Sequence, residues 1–203
     1  MIDEGKLFSR KQIQRIWFNN MKPESSKRKC QETLQKLVAE KRIKRYQKDY
    51  FNPAYYYTQT KPTNLNHIHQ INNVYCAFLE QKKPWQSIEW KWSYSLLNGT
   101  VFADAYINFY SLPDKKGRKS IFLECETDPR KRFDKHTQYQ KIYDSNWHKP
   151  PFPEWAVIDE SSKKAIFPTI LLVTDHPIDF QSDLNFIIAS PDQVQSDVYS
   201  LLK

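Results

Sequence analysis

Apolar positions near the start of the chain recur with the period of an α-helix. Residues 9–12 read Ser-Arg-Lys-Gln, which is the form of a capping box, and Ile13, Ile16 and Trp17 follow at i, i+3 and i+4. This spacing predicts a short helix that buries one face and ends near residues 19–20.

A second helix is predicted after a turn over residues 22–26, which closes on a serine cap. Apolar residues then recur at i, i+4, i+7 and i+8, namely Cys30, Leu34, Leu37 and Val38. At about 100° per residue, the opposite face of this helix carries polar side chains that are able to reach phosphates and base edges. They are Arg28, Glu32 and Gln35, flanked by Lys29 and Lys36.

Two β-prone runs, 41–46 and 55–57, follow on either side of a turn at residues 52–53, and they predict a hairpin. The first run is basic through Lys41, Arg42, Lys44 and Arg45. Helix, turn, helix and basic hairpin is the pattern of a winged helix-turn-helix, whose second helix enters the major groove of duplex DNA while the wing contacts the backbone. Residues 1–6 are too few for the helix that usually precedes this motif, so we expect that helix to be lost or supplied by a partner. The alternative is a small helical domain that binds protein.

A polar stretch over residues 57–64 contains one proline and predicts a linker between two domains, 1–62 and 63–203. Beyond it, periodicity predicts a helix over 64–82, and Asn98-Gly99 predicts a hairpin between the strands on either side of it. The remaining predicted elements are a strand over 121–126, a helix over 129–145, strands over 165–174 and 184–189, and a last helix that Ser190 caps. This order predicts an α/β domain on a mixed sheet, and the chain as a whole is expected to be α+β.

Charge is divided unevenly between the two predicted domains. Residues 1–62 hold 15 Lys and Arg against 6 Asp and Glu, a net charge of +9, whereas the rest of the chain holds 16 against 17. Clustered basic side chains favour a polyanionic partner because binding releases the counterions of that partner. The alternative is an ordinary solvated basic surface. Together with the winged helix-turn-helix pattern, the charge leads us to expect that the first domain binds double-stranded DNA.

Composition excludes several other classes of protein. No apolar run reaches the roughly 18–20 residues of a membrane span, and the N-terminus lacks the pattern of a secretory signal, so a soluble cytoplasmic protein without a membrane partner is expected. The three cysteines are scattered and form no Cys-x-x-Cys pair, which argues against a disulfide framework or a cysteine-ligated zinc site. With only three glycines and no glycine-rich phosphate loop, an NTPase is not expected.

Acidic residues are placed so that they can meet at one edge of the predicted sheet. Asp104 lies on one strand, and Glu124 and Glu126 share one face of the next. Clustered carboxylates repel one another, so such a group needs a divalent cation such as Mg²⁺ or Mn²⁺, or a basic side chain, to neutralise it. The alternative to a metal is that these acids form ion pairs that only support the fold, with Lys91, Arg130, Lys131 or Lys141 as partners.

Several sequence features occur in the order and spacing of a known family. They are the head with Leu34 to Leu37 and a basic wing, His67-Ile68-His69 at a helix start, Trp90, Phe102-Ala103-Asp104-Ala105, Phe122-Leu123-Glu124-Cys125-Glu126-Thr127, Lys141-Ile142-Tyr143, and the run 167–174. Together, residues 12–177 resemble the replication-relaxation family of plasmids, phages and integrative elements.

This resemblance implies that the second domain has a divergent PD-(D/E)XK nuclease fold. It also implies that Asp104 and Glu124 stand at the aspartate and glutamate positions that hold a catalytic metal. The sequence departs from the nuclease pattern because Ala103 replaces the proline and, more seriously, Glu126 replaces the lysine that orients water or neutralises the transition state. Lys141 and Lys131, on the helix that follows, are the candidates to replace that lysine.

From these observations we expect a DNA-binding protein of a mobile genetic element that acts in replication, maintenance or mobilisation, with a nuclease-like domain that has lost hydrolysis. One alternative is a metal-dependent endonuclease or nickase that uses Asp104, Glu124 and Glu126. Another is an adaptor whose second domain docks a replication or mobilisation protein while the head tethers it to DNA. Recognition of a palindrome would require a homodimer.

Overall fold

The computed structural model describes residues 7–96, 99–111, 118–130, 133–159, 162 and 164–202. The chain is α+β and divides into two compact units, the first ending at Glu80 and the second beginning at Gln81. N-terminal helices with a small sheet form the first unit, and a five-stranded mixed sheet with flanking helices forms the second. None of the helices in the described ranges is both long and apolar enough to cross a membrane.

From residue 7 onwards, where the description of the first unit begins, it contains three short strands and three helices. In chain order they are β1 (Leu7–Ser9), α1 (Arg10–Trp17), α2 (Pro23–Ala39), β2 (Lys44–Tyr46), β3 (Tyr55–Tyr57) and α3 (Leu65–Gln81), whose last residue begins the second unit. The strands form an antiparallel sheet in the order β1-β3-β2, so the predicted hairpin of β2 and β3 is confirmed and gains a third strand. The sequence pattern does not predict β1 because it is only three residues long.

The starts of the first two helices differ in how well the sequence predicted them. The capping box of α1 is confirmed, since the Ser9 hydroxyl accepts a hydrogen bond from the Gln12 backbone and the Gln12 side chain accepts one from the Ser9 backbone. In contrast, α2 begins at Pro23 and not after a serine cap. Proline at the first helical position has a preset φ and needs no hydrogen-bond partner, so it starts the helix without a side-chain cap, and Ser26 lies buried inside the first turn.

The helix α3 packs against the first unit, although the sequence boundary at 62/63 groups it with the second. The Gln12 side-chain amide donates to the His69 backbone oxygen at 3.0 Å and to Asn73 Oδ1 at 2.8 Å. The buried Asn72 side chain donates to the backbone oxygen of Leu7. Near the end of the helix, the Arg15 guanidinium forms an ion pair with Glu80. The helix α3 therefore adds a third helix to the unit formed by α1, α2 and the small sheet.

The second unit is built on a mixed sheet of five strands with flanking helices. Its elements are β4 (Gln86–Leu96), β5 (Val101–Ser111), β6 (Lys119–Glu126), α4 (Lys135–Tyr143), a 3₁₀ helix (Asn146–His148), β7 (Val157–Ile158), β8 (Ala165–Ile166), β9 (Thr169–Thr174), β10 (Phe186–Ala189) and α5 (Pro191–Leu201). The strands β4, β5 and β6 are antiparallel neighbours, whereas β9 runs parallel to both β6 and β10. This mixture of directions confirms the predicted mixed sheet.

Two predicted elements of the second unit have different bounds in the structure. The helix predicted over 129–145 is α4, which begins only at Lys135, with Asp134 as its N-cap. The strand predicted over 165–174 is two strands, because Pro168 separates β8, which pairs with β7, from the buried β9. In the predicted Asn98-Gly99 turn, Gly99 has a φ of +91° and Asn98 lies outside the described residues.

One face of the sheet packs against α4 through aromatic rings. Tyr106 on β5 and Phe122 on β6 lie opposite each other in the ladder, and Tyr139 of α4 stacks on Phe122 with ring centroids 5.6 Å apart. Side chains two residues apart on a strand share a face, so Asp104 and Glu124 lie on this same face, one step beyond the aromatic pair. The packing of α4 therefore brings its first residues to the acidic end of the two strands.

Candidate nucleic-acid interface and acidic site

The polar face predicted for α2 is open to solvent. Every member of the predicted set is exposed: Arg28, Lys29, Glu32, Gln35 and Lys36. Arg28 and Glu32 lie 3.7 Å apart as an i, i+4 ion pair, yet the Arg28 side chain remains 81% exposed. An exposed pair of this kind contributes little to stability, so it leaves the guanidinium available to an external anion.

The end of α2 leads directly into the basic hairpin. Lys41 adopts a left-handed conformation with φ of +57°, and the Arg42 backbone nitrogen donates to the Leu37 oxygen at 3.0 Å, which ends the helix. All four predicted basic residues of the hairpin region are exposed: Lys41, Arg42, Lys44 and Arg45. The Lys44 Nζ atom donates to the Gln59 backbone oxygen at 3.0 Å, and Arg45 donates to the Gln47 side chain.

A groove of about 650 Å³ lies between α2 and the hairpin of β2 and β3. Its helix side includes Gln31, Gln35 and Ala39, and its hairpin side includes Arg45 and Asn52. The structure therefore brings the predicted residue Gln35 of the helix and the predicted residue Arg45 of the wing to one concave surface. Polar amides and a guanidinium are the groups that donate to phosphate oxygens and base edges.

In the second unit, Glu124 is buried beneath the end of the sheet and is only 2% exposed. Its Oε2 atom accepts a hydrogen bond from the Lys135 ammonium at 2.6 Å, and its Oε1 atom accepts one from the Tyr139 hydroxyl at 2.7 Å. Lys135 also donates to the Phe102 backbone oxygen at 2.9 Å. Asp104 accepts a hydrogen bond from the Cys125 backbone nitrogen at 2.8 Å. We call Asp104, Glu124, Lys135 and Tyr139 the acidic site.

Burial dominates the titration of this site. Burial, and after it the nearby Asp104 carboxylate, favour the protonated form of Glu124, while Lys135 and Tyr139 act in the opposite direction, and the net effect raises the pKa of Glu124 to about 7. For Lys135, burial disfavours the ammonium form, but the carboxylates of Glu124 and Asp104 outweigh that effect and raise its pKa. Lys135 therefore carries its charge at neutral pH, next to a carboxyl group that titrates near neutrality.

The other predicted catalytic residues make different contacts, although the charge of Glu126 also contributes to raising the pKa of Lys135. Glu126 is partly buried, and its Oε1 atom accepts a hydrogen bond from the Asp128 backbone nitrogen at 2.9 Å. Lys141 lies on the exposed face of α4, and Lys131 lies outside the described residues. Of the proposed ion-pair partners, Lys91 pairs with Glu154, and Arg130 pairs with Asp128.

A metal ion does not fit the acidic site as the described residues arrange it. Both carboxylate oxygens of Glu124 already accept hydrogen bonds, and one comes from an ammonium group that would repel a cation. Within the described ranges, no three His, Cys, Asp or Glu side chains are grouped so that they could hold a metal ion. The site is therefore a buried ion pair and hydrogen-bond cluster, with no metal-binding geometry.

The sequence-based candidates on this helix are Lys141 and Lys131, and Lys135 is not among them. Lys135, Tyr139 and Ile142 nevertheless follow the i, i+4, i+7 pattern and share one face of α4. Lys141 is six residues beyond Lys135, about 240° around the helix, and so points elsewhere. The spacing of Tyr139 and Ile142 was the signal that could have identified Lys135.

Compared with known proteins, the chain matches no family model, no curated protein and no solved structure.

Proposed function

We propose that this chain is a DNA-binding protein whose first unit is a winged helix-turn-helix. The observation that carries the proposal is that the nine predicted contact residues are all exposed, on α2 and on the region of the adjacent hairpin. In this proposal, α2 enters the major groove of duplex DNA, and the hairpin of β2 and β3 is the wing that contacts the backbone.

The architecture of the first unit supports this assignment. The hairpin follows α2 directly, and β3 pairs with both β1 and β2, which fixes the wing to the sheet beside α1. The helix α3 supplies a third helix through Gln12, Asn72 and Arg15 contacts, so the small domain does not need a helix from a partner to complete a three-helix core. The excess of basic residues in the first 62 positions also favours a polyanion over a neutral protein surface.

For the second unit, we propose a nuclease-like scaffold without hydrolytic activity. The succession of three antiparallel strands, a helix and a parallel strand supports this proposal. Glu124 is occupied on both oxygens, which supports a structural role for this carboxylate. A role in the replication or maintenance of a mobile element, with a partner protein or a second copy, rests on the resemblance of residues 12–177.

The test of DNA binding is a salt titration with the full chain and a fluorescently labelled duplex. If several Lys and Arg side chains neutralise phosphates, the logarithm of the association constant falls linearly with the logarithm of the salt concentration, with a slope of about −0.9 per phosphate contacted. We expect a slope of about −4 or steeper, which corresponds to at least four such contacts. An affinity that does not change with salt would contradict the proposal.

One observation favours a second candidate, a metal-dependent endonuclease. Lys135 lies beside Glu124 and so provides, from α4, the lysine that is absent from position 126. The acidic site would then have to rearrange before catalysis, since Lys135 and Tyr139 donate hydrogen bonds to the two oxygens of Glu124. Cleavage of DNA in the presence of Mn²⁺, and its loss in Asp104→Ala, would support this candidate.

A further inference from the structure

The tip of the hairpin carries two aromatic rings that contact almost nothing but each other. Tyr50 is 91% exposed and Phe51 is 94% exposed, and their ring centroids lie 6.0 Å apart in an edge-to-face arrangement. Single exposed apolar residues are common on protein surfaces, but two adjacent and almost fully exposed large rings are not explained by the packing of the unit. Aromatic rings in such a position are able to stack on a flat ligand.

Hydrogen bonds within the turn hold these rings away from the sheet. The Asp49 Oδ1 atom accepts from the backbone nitrogens of Phe51 at 2.9 Å and Asn52 at 3.0 Å, and its Oδ2 atom accepts from the Asn52 side chain at 2.7 Å. The Gln47 side chain closes the turn by donating to the Asn52 backbone oxygen at 2.9 Å. The turn is therefore preorganised, and a ligand that stacks on the rings does not have to order the backbone first.

The surroundings of the two rings indicate the chemical class of that ligand. Residues 41–52 contain five basic side chains and a single acidic one, Asp49, whose oxygens accept the hydrogen bonds of the turn. An apolar pair inside a basic segment complements a polyanion that also presents flat apolar surfaces. Unpaired nucleic-acid bases have these properties, because they stack on aromatic rings while their phosphates attract Lys and Arg.

We propose that Tyr50 and Phe51 stack on unpaired bases beside the duplex that α2 contacts, so that the protein prefers a junction between paired and unpaired DNA. The hairpin and α2 line the same groove, and two of its lining residues, Gln47 and Asn52, flank the two rings in the sequence. This inference rests on the proposed function of the first unit. It adds a structural preference, for unstacked bases, to binding that is otherwise directed at a duplex.

The test compares two labelled DNAs, a fully paired duplex and the same duplex with a short central mismatch bubble that contains 2-aminopurine. The full chain is expected to bind the bubble about tenfold more tightly than the duplex, which is the factor for about 1.4 kcal/mol and lies within the range for stacking of one base. The double variant Tyr50→Ala/Phe51→Ala is expected to lose the preference, so that its affinities for the two DNAs become nearly equal. The exchange Tyr50→Phe/Phe51→Tyr keeps both rings and is expected to keep the preference.

The outcomes separate this inference from the proposal on which it rests. If the native chain binds neither DNA, the proposed function fails. If it binds both equally, or if the alanine variant keeps the bubble preference, the duplex-binding proposal stands and the stacking inference is wrong. Loss of self-association in the alanine variant, measured by sedimentation with DNA preference unchanged, would instead assign the rings to a second copy of the chain. The direct sign of stacking is that the native chain quenches the fluorescence of 2-aminopurine and the alanine variant does not.

Discussion

The Lys135 ammonium lies 2.6 Å from Oε2 of Glu124, and this ion pair joins the first turn of α4 to the end of β6. The same ammonium donates to the Phe102 backbone oxygen at the start of β5, so one side chain connects a helix and two strands. Glu124 is completely enclosed, while the Lys135 side chain is 36% exposed. The partly exposed lysine can therefore keep its charge at lower energetic cost than the buried carboxylate can keep its own.

This difference in burial predicts a pH dependence of stability. In the folded state, burial raises the pKa of Glu124 from 4.5 to about 7, so the folded state binds more protons than the unfolded state between those values. The contribution of Glu124 to the free energy of unfolding is therefore fully present below pH 4.5 and is lost as the pH rises through about 7. The full shift corresponds to an upper value of about 3 kcal/mol.

Urea denaturation at several values between pH 4.5 and 8 measures this effect. We expect the free energy of unfolding of the native chain to fall across this window more steeply than that of Glu124→Gln, which cannot titrate. The variant Glu80→Gln removes an exposed carboxylate from the first unit and is expected to keep the native slope of the second unit. Equal slopes for the native chain and Glu124→Gln would show that Glu124 does not titrate in this range.

The hydroxyl group of Tyr139 is expected to contribute to stability separately from the packing of its ring. Its ring is completely buried on Phe122, and the hydroxyl donates to Oε1 of Glu124 at 2.7 Å. Tyr139→Phe keeps the ring but leaves a buried carboxylate oxygen without this donor, which costs about 1–3 kcal/mol. Tyr143→Phe is the matched control, since Tyr143 lies on the same helix and is 40% exposed. A loss below about 0.5 kcal/mol for Tyr139→Phe, measured by urea denaturation, would contradict the expected role.

The acidic site also predicts the outcome of a cleavage assay. With end-labelled duplex and single-stranded DNA and Mn²⁺, we expect intact DNA on a denaturing gel, because Glu124 is already paired and buried. The same samples should shift on a native gel, which shows that the protein is bound. Cleavage by the native chain and not by Asp104→Ala would replace this account by the endonuclease candidate.

The contacts of α3 predict the shortest fragment that folds. Gln12, Asn72 and Arg15 make hydrogen bonds or ion pairs between α3 and the rest of the first unit, and Ile71, Val74 and Phe78 are buried. A fragment of residues 1–80 is therefore expected to show a cooperative thermal transition by circular dichroism. A fragment of residues 1–62 lacks α3, and with it Asn72 and the buried apolar residues of that helix, so it is expected to melt without cooperativity. A cooperative transition in the shorter fragment would contradict the assignment of α3 to this unit.

Local periodicity predicted most of the elements, because their signals are short-range. The capping boxes at Ser9 and Ser190 and the apolar stripe of α3 depend on residues within one or two turns. The strand β1 could not be predicted in this way, since three residues form a strand only because β3 lies beside them. The start of α4 was also beyond the pattern, because a proline after a polar cap is compatible with a turn as well as a helix.

The two candidate sites also differ in how far the sequence alone predicts them. The basic residues of α2 and the hairpin are close in sequence, so their common exposure was predictable from the amphipathic pattern alone. The acidic site joins residues from two strands and a helix, and which lysine reaches Glu124 depends on which face of α4 packs on the sheet. Lys135 shares the face of Tyr139, whereas Lys141 lies about 240° around the helix from Lys135. Packing between elements that are distant in the sequence, here of Tyr139 on Phe122, determines which lysine reaches Glu124.

The most direct test of the DNA-binding account is a fluorescence anisotropy titration of one labelled duplex with three forms of the full chain. These are the native protein, the charge reversal Arg28→Glu/Lys29→Glu on α2, and the matched reversal Lys149→Glu/Lys164→Glu at two exposed lysines of the second unit. Both variants change the net charge by the same amount. A difference between them therefore reports a contact surface on α2, whereas general electrostatic attraction would weaken both equally. We expect the α2 variant to lose at least about tenfold in affinity, a change of about 1.4 kcal/mol, and the second-unit variant to bind nearly as the native chain does. Equal losses in the two variants, or none in the first, would contradict the claim that α2 is the DNA-contacting helix.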